Sequence, residues 1–217
     1  MAKVAVILSG CGFMDGAEIQ ESVCSLLALD RAGHDVQCMA PDIPQMHTVN
    51  HLKGEEDAGE RNVLVESARI ARGKVVDLAN ETEAGYDALF MPGGFGVAKN
   101  LSDFVEKGAD CSSEEKTSAL IKAFHKAGKP IVALCIAPAL VARVLGNGVK
   151  LTIGNDEGVA SGVEGMGAKH QSTAITEIAV DEENKVVSTP CYMFDASVAQ
   201  IADSAENAVR AMEELLF

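Results

Sequence analysis

Short aliphatic runs that alternate with helix-length amphipathic segments constrain this chain more than any other feature. Residues 4–8, 35–40, 74–78, 87–91 and 131–134 read as buried strands. Helical spacing falls over 17–32, 62–72, 114–127 and from Pro138 to about 145. Gly33 and Gly128 stand just past two of these helices, and Pro138 opens a third. The helix at 17–32 carries apolar residues at Val23, Leu26, Leu27 and Leu29. Residues 42–60 are polar and hold Pro44, Gly54 and Gly59, which suits a surface excursion with a hairpin. Further on, the pattern predicts a short strand at 151–153, a helix at 156–165, and a hairpin of 175–180 and 185–188 about Asp181-Glu182-Glu183-Asn184. A last helix at 196–215 places Val198, Ile201, Ala205, Ala208, Val209, Met212 and Leu215 on one face. Repeated strand–helix–strand order predicts an α/β fold, a doubly wound and mostly parallel sheet with helices on both faces. With no linker, repeat or shift in composition, 1–217 reads as one domain.

Charge narrows the partners. Lys and Arg number 18 against 32 Asp and Glu, a formal charge of −14. A chain this acidic is a poor partner for nucleic acid or an anionic membrane, both of which need clustered cations. Aromatics are 4% and Trp is absent, so the core is expected to be aliphatic, with little surface for base stacking. No run approaches the ~18 apolar residues of a membrane span, and 4–8 is too short for a signal sequence. The six cysteines form no C-x-x-C pair and read as free thiols in a reducing compartment, which places the protein in the cytoplasm.

In such sheets, ligands sit beyond the carboxyl ends of the strands, at the switch point in strand order. Three strand ends stand out. Residues 131–134 run straight into Cys135-Ile136-Ala137-Pro138. A strand-to-helix elbow exposes its side chain, and the helix N-terminus favours a thiolate. A buried packing cysteine fits the same position. Gly93-Gly94 follows 87–91 and could turn backbone N–H groups toward an oxyanion beside Cys135, or serve only as a tight turn. Glu18 follows the first strand, where it is either a general acid/base for Cys135 or a plain helix-start carboxylate. A carboxylate beside a thiolate raises the thiol pKa, so the pair works only by sharing one proton. Gly10, Gly12 and Gly16 imitate a dinucleotide fingerprint, but Phe13, Met14, Asp15 and Glu18 occupy the place of a pyrophosphate. His47 and His51 lie four apart without a third ligand and read as loop histidines rather than a metal site.

Together these strand ends resemble the PfpI-like members of the class I glutamine amidotransferase-like superfamily, which includes the parkinsonism-associated deglycase and related glyoxalases. The resemblance is nearest to the ElbB-type family, named for an effect on isoprenoid production. It rests on residues 7–12, Asp15-Gly16 with Glu18-Ile19, Asn50-His51-Leu52, 61–64, 92–96 with 98–102, 135–138, 151–154, and Thr189-Pro190 with Tyr192-Met193. It implies a flavodoxin-like sheet, Cys135 as nucleophile, Glu18 as its acid/base, and the N–H groups of Gly94 and Ile136 as the oxyanion site. Gly93, Cys11 and Asn100 are grouped with that oxyanion and substrate site. Similar proteins are usually homodimers.

Two departures matter. The residue after Cys135 is Ile136 where protease-like members carry histidine, and no downstream His-x-Glu occurs. His170, the only late histidine, reads as the start of a strand. Peptide and glutamine hydrolysis need a base to activate the nucleophile and protonate the leaving nitrogen, so neither is expected. The expectation is instead a cofactor-free glyoxalase that acts on small oxoaldehydes through a Cys135 hemithioacetal. The alternatives are a redox sensor or chaperone-like protein with an oxidisable Cys135, or a metabolite-binding protein.

Overall fold

The computed structural model describes residues 1–216. In chain order the elements are β1 (Lys3–Ile7), α1 (Ile19–Arg31), β2 (Asp35–Ala40), β3 (Val49–Asn50), β4 (Glu55–Glu56), α2 (Val63–Ile70), β5 (Val75–Asp77), β6 (Ala88–Met91), α3 (Phe95–Lys99) and α4 (Phe104–Lys107). They continue with α5 (Glu115–Lys126), β7 (Ile131–Leu134), α6 (Ala137–Leu145), β8 (Lys150–Leu151), α7 (Glu157–Gly165), β9 (Lys169–His170), β10 (Ala179–Asp181), β11 (Val186–Thr189) and α8 (Val198–Leu215).

Seven strands form the central sheet in the order β10-β11-β7-β6-β1-β2-β5. Every pairing is parallel except that of β10 with β11. This is the flavodoxin-like α/β arrangement. The chain winds outward from β1 through β2 to β5, then returns to the other side of β1 and proceeds through β6 and β7. Strand order therefore reverses between β1 and β6, and the crevice at their carboxyl ends is where a ligand site is expected.

The core is aliphatic because β1, β6 and β7 are covered on both faces. Val4, Val6, Ile7, Leu89, Phe90, Ile131 and Val132 are all fully buried. Amphipathic α8 closes one side with Ile201, Ala205, Ala208, Val209 and Met212, while Val198 stays half-exposed. Residues 42–60 hold the β3–β4 hairpin. The expected strand at 175–180 is shorter, because only its last part pairs with β11 and the segment before it is turn. The short helices α3 and α4 follow a strand end where the sequence suggested only loop.

Helix α1 departs most from expectation. Its buried face is Glu21, Ser22, Ser25, Ala28 and Leu29, whereas Val23 is 50% and Leu27 43% exposed. The helix packs on α8 and the sheet through small side chains that allow close approach. This inverted face brings a carboxylate into the crevice.

Candidate active site

Cys135 sits where β7 turns into α6. Its N–H donates to the carbonyl of Thr189, which extends the β7–β11 ladder by one bond. Its φ is +58°, a left-handed conformation that a non-glycine residue holds only when its surroundings enforce it. The elbow turns the thiol into the crevice, where it is only 7% exposed. The N–H groups of Gly94 and Ile136 both point at its sulfur.

The carboxylate against that thiol is Glu21, not the expected Glu18. Glu18 is the N-cap of α1, and its Oε2 accepts the N–H of Glu21 at 2.6 Å. Capping holds Glu18 at the mouth of the crevice, where it lines the cavity. Glu21, one turn further along the inward face, is fully buried and hydrogen-bonds the Cys135 thiol. Its Oε2 accepts the N–H of Gly93 at 2.8 Å and its Oε1 accepts the N–H of Tyr192 at 3.2 Å.

Burial and the neighbouring Glu18 charge push Glu21 up to about 7, partly offset by those two backbone donors. Burial, then the Glu21 charge, pushes the Cys135 thiol well above its ordinary range. Both groups cannot be charged together in so dry a place. Once the pair has lost one proton, it carries a single negative charge, and the remaining proton is shared between sulfur and oxygen. Each end has its own backbone donors, so either position of that proton is supported.

Gly93 and Gly94 divide the tasks expected of both. Gly93 gives its N–H to Glu21, so it is not an oxyanion donor. A side chain at 93 would overlap the Cβ of Cys135. Gly94, at φ +100°, aims its N–H at the Cys135 sulfur, and its own Cβ position would overlap the backbone of Glu18.

Asn100 and Cys11 do not reach the cavity. Asn100 is buried, and its Nδ2 donates to the carbonyls of Ser9 and Asp15 while its Oδ1 accepts the N–H of Met46, each at 2.9 Å. With its hydrogen-bonding capacity spent on three backbone groups, it fastens loops rather than substrate. Cys11 lies outside the cavity lining, among the charges of Glu66, Arg69, Asp15 and Arg61. Burial is the main cause of its raised thiol pKa.

The glycine run closes on itself. Gly10 N–H donates to Ser67 Oγ, Gly12 N–H to Ala17 O, and Gly16 N–H to Gly12 O. His51 Nε2 accepts the N–H of Met14, and its ring meets Phe13 edge-on, so the hairpin region supports a wall of the cavity. His170 lies in β9 beside β8, where it ends that short strand rather than starting one, and it is not among the cavity residues.

A cavity of about 350 Å³ opens over Cys135. Phe13, Phe95, Val159 and Met193 form apolar walls, and Glu18, Asp156 and Tyr192 supply the polar rim. Among the described residues, no Lys, Arg or His lines it. A larger groove of about 580 Å³ runs beside α8 but contains no cysteine and is more open to solvent. Sequence reasoning missed Glu21, Tyr192, Asp156 and the apolar walls. Tyr192 lies just past a fourth strand end, β11, inside a motif already noted at 189–193.

A flavodoxin-like sheet with a cysteine at the β7 elbow and a buried carboxyl beside it defines a class, and comparison with known proteins gives the family. The chain belongs to the DJ-1/PfpI family, whose model matches residues 2–189. It is 48% identical to the human "glutamine amidotransferase-like class 1 domain-containing protein 3, mitochondrial", over 99% of this chain and 83% of that protein. It is 46% identical to the rat "ES1 protein homolog, mitochondrial", over 99% and 84%. Among solved structures, an isoprenoid biosynthesis protein with an amidotransferase-like domain from Ehrlichia chaffeensis superposes with a TM-score of 0.95 at 36% identity, covering both chains fully. These relatives overturn the expected cytoplasmic location, since both curated proteins are named as mitochondrial. Free cysteines report a reducing environment and do not distinguish one reducing compartment from another.

Proposed function

We propose that this protein is an ElbB-type member of its family that converts small 2-oxoaldehydes to 2-hydroxy acids, using Cys135 and Glu21 and no cofactor. The observation that carries the reading is the buried carboxyl of Glu21 against the Cys135 thiol at the floor of a small, largely apolar cavity with no histidine in its lining among the described residues. The likeness to a solved protein named for isoprenoid biosynthesis supports the ElbB-type assignment.

The chemistry follows from the geometry. Glu21 takes the Cys135 proton as sulfur adds to the aldehyde carbon. The developing alkoxide takes up a proton, which gives a hemithioacetal. Glu21, again ionised, removes the proton from that carbon, and protonation at the adjacent carbon completes a thioester of the 2-hydroxy acid. Water then cleaves the thioester and restores the thiol. The net reaction adds one water to the oxoaldehyde. A carboxyl near pH 7 suits both directions of proton transfer. Peptide and glutamine hydrolysis by a cysteine–histidine pair find no histidine in the cavity lining among the described residues. A redox sensor needs an accessible thiolate of low pKa, and the buried, raised thiol of Cys135 counts against that reading.

The test follows isotopically labelled methylglyoxal by NMR. The native protein is expected to produce lactate, and Cys135→Ala and Glu21→Gln are each expected to lower the rate at least a hundredfold. Full activity in Cys135→Ala would refute the mechanism.

A further inference from the structure

We propose that the Cys135 cavity selects its carbonyl compound by charge, with Glu18 and Asp156 as the specificity-determining residues. A carbonyl that carries a protonated amine is preferred over a neutral one of similar size, and carboxylate-bearing 2-oxo acids are excluded. This deepens the thiol–carboxyl reading above and rests on it for the reaction itself.

The charged residues lining the cavity are Glu18 and Asp156, and both are carboxylates. Neither is free to swing away. Glu18 is fixed by the N–H of Glu21 at the start of α1, and Asp156 Oδ1 accepts the N–H of Val159 at 2.8 Å at the start of α7. Each helix terminus contributes roughly half a positive charge, which leaves a net negative charge at each cap. The groups that could welcome an anion are already occupied. The N–H groups of Gly94 and Ile136 face the Cys135 sulfur, and those of Gly93 and Tyr192 face Glu21. The nearest wall also holds Lys99, but its Nζ donates to the carbonyl of Met14 and lies over the ring of Phe95, outside the cavity lining. At a partly solvated rim, each fixed charge within a few ångströms changes the occupancy of a charged ligand by roughly tenfold.

Alkylation of Cys135 reads this selection without any turnover. The probes are iodoacetamide (neutral), iodoacetate (anionic) and 2-bromoethylamine (cationic). Rates are taken at the Cys135 peptide by mass spectrometry and divided by those of a small neutral thiol. The normalised rates are expected to rank 2-bromoethylamine, iodoacetamide, iodoacetate, with about tenfold between neighbours. Glu18→Gln and Asp156→Asn each keep an oxygen that can cap the helix and are expected to narrow the spread by threefold or more. In the native protein, 1 M salt is expected to narrow it as well, which gives a reading independent of any variant. Equal normalised rates for the three probes, or a spread that survives both substitutions and salt, would overturn the proposal. If the charge order holds but no oxoaldehyde is consumed, the reaction proposed above fails and the selection by charge stands.

Discussion

Replacing Glu21 by glutamine removes the carboxyl that the fold displaces most from its ordinary behaviour. Burial moves it from an ordinary 4.5 to about 7. Between those values the folded chain keeps a proton that the unfolded chain has released, so the stability this group confers is present below pH 4.5 and is lost as pH rises through 7. At about 1.4 kcal/mol per pH unit, the native protein should lose about 2–3 kcal/mol of stability from this group alone between pH 5 and pH 8. Glutamine does not titrate. Its amide sets a donor against the N–H of Gly93 or Tyr192, a cost that is the same at every pH. The informative quantity is therefore the difference in unfolding free energy between native protein and Glu21→Gln, measured by urea denaturation at several pH values. Other titrating groups cancel in that difference. The native protein's relative stability should fall by about 2–3 kcal/mol across the range, equivalent to several degrees in Tm for a chain of this size. A difference that does not vary with pH would refute the buried, proton-retaining carboxyl, and so would a change of opposite sign.

Other outcomes follow from the same contacts. Alkylation of Cys135 by a neutral reagent should accelerate only above the ordinary thiol range in the native protein, because burial and the Glu21 charge hold the thiol up. Glu21→Gln removes that charge and should move the midpoint down, read as alkylation rate against pH, and a midpoint that stays or rises would refute the pairing. Gly93→Ala forces a Cβ into that of Cys135 and should cost about 2 kcal/mol or more, read as a drop in Tm. An unchanged melting curve would show that the turn can shift to make room. Asn100→Asp replaces a donor with a carboxylate facing the carbonyls of Ser9 and Asp15, and should destabilise by about 3 kcal/mol, measured by urea denaturation.

The strands were legible because burial on both faces writes continuous aliphatic runs into β1, β6 and β7, a pattern that no surface element needs. Cys135 and Gly94 were legible because an elbow and a tight turn at strand ends restrict which residues fit. The partner carboxylate was not legible. Of the apolar residues Val23, Leu26, Leu27 and Leu29 that suggested the inward face of α1, only Leu29 is fully buried, and it shares that face with Glu21, Ser22, Ser25 and Ala28. Hydrophobic spacing identifies a buried face only where burial is apolar, and here it is close-packed, small and partly polar. The recurrence of small residues at 22, 25 and 28 was the available signal. Asn100 was misplaced for a related reason. A conspicuous polar residue near a strand end looks the same in sequence whether it contacts a ligand or three backbone groups.

By itself the sequence determined the parallel α/β sheet, the crevice at its carboxyl edge and the cysteine at the elbow, because each follows from local patterns of burial and backbone restriction. Tertiary structure alone decided that Glu21 and not Glu18 meets the thiol, that Gly93 serves the carboxyl while Gly94 serves the sulfur, and that Asp156 joins the rim. Those choices depend on how α1 is rotated against the sheet and on which distant loops meet above β7. Contacts between residues tens of positions or more apart are set by the packing of whole elements, and no local pattern of residue types encodes them.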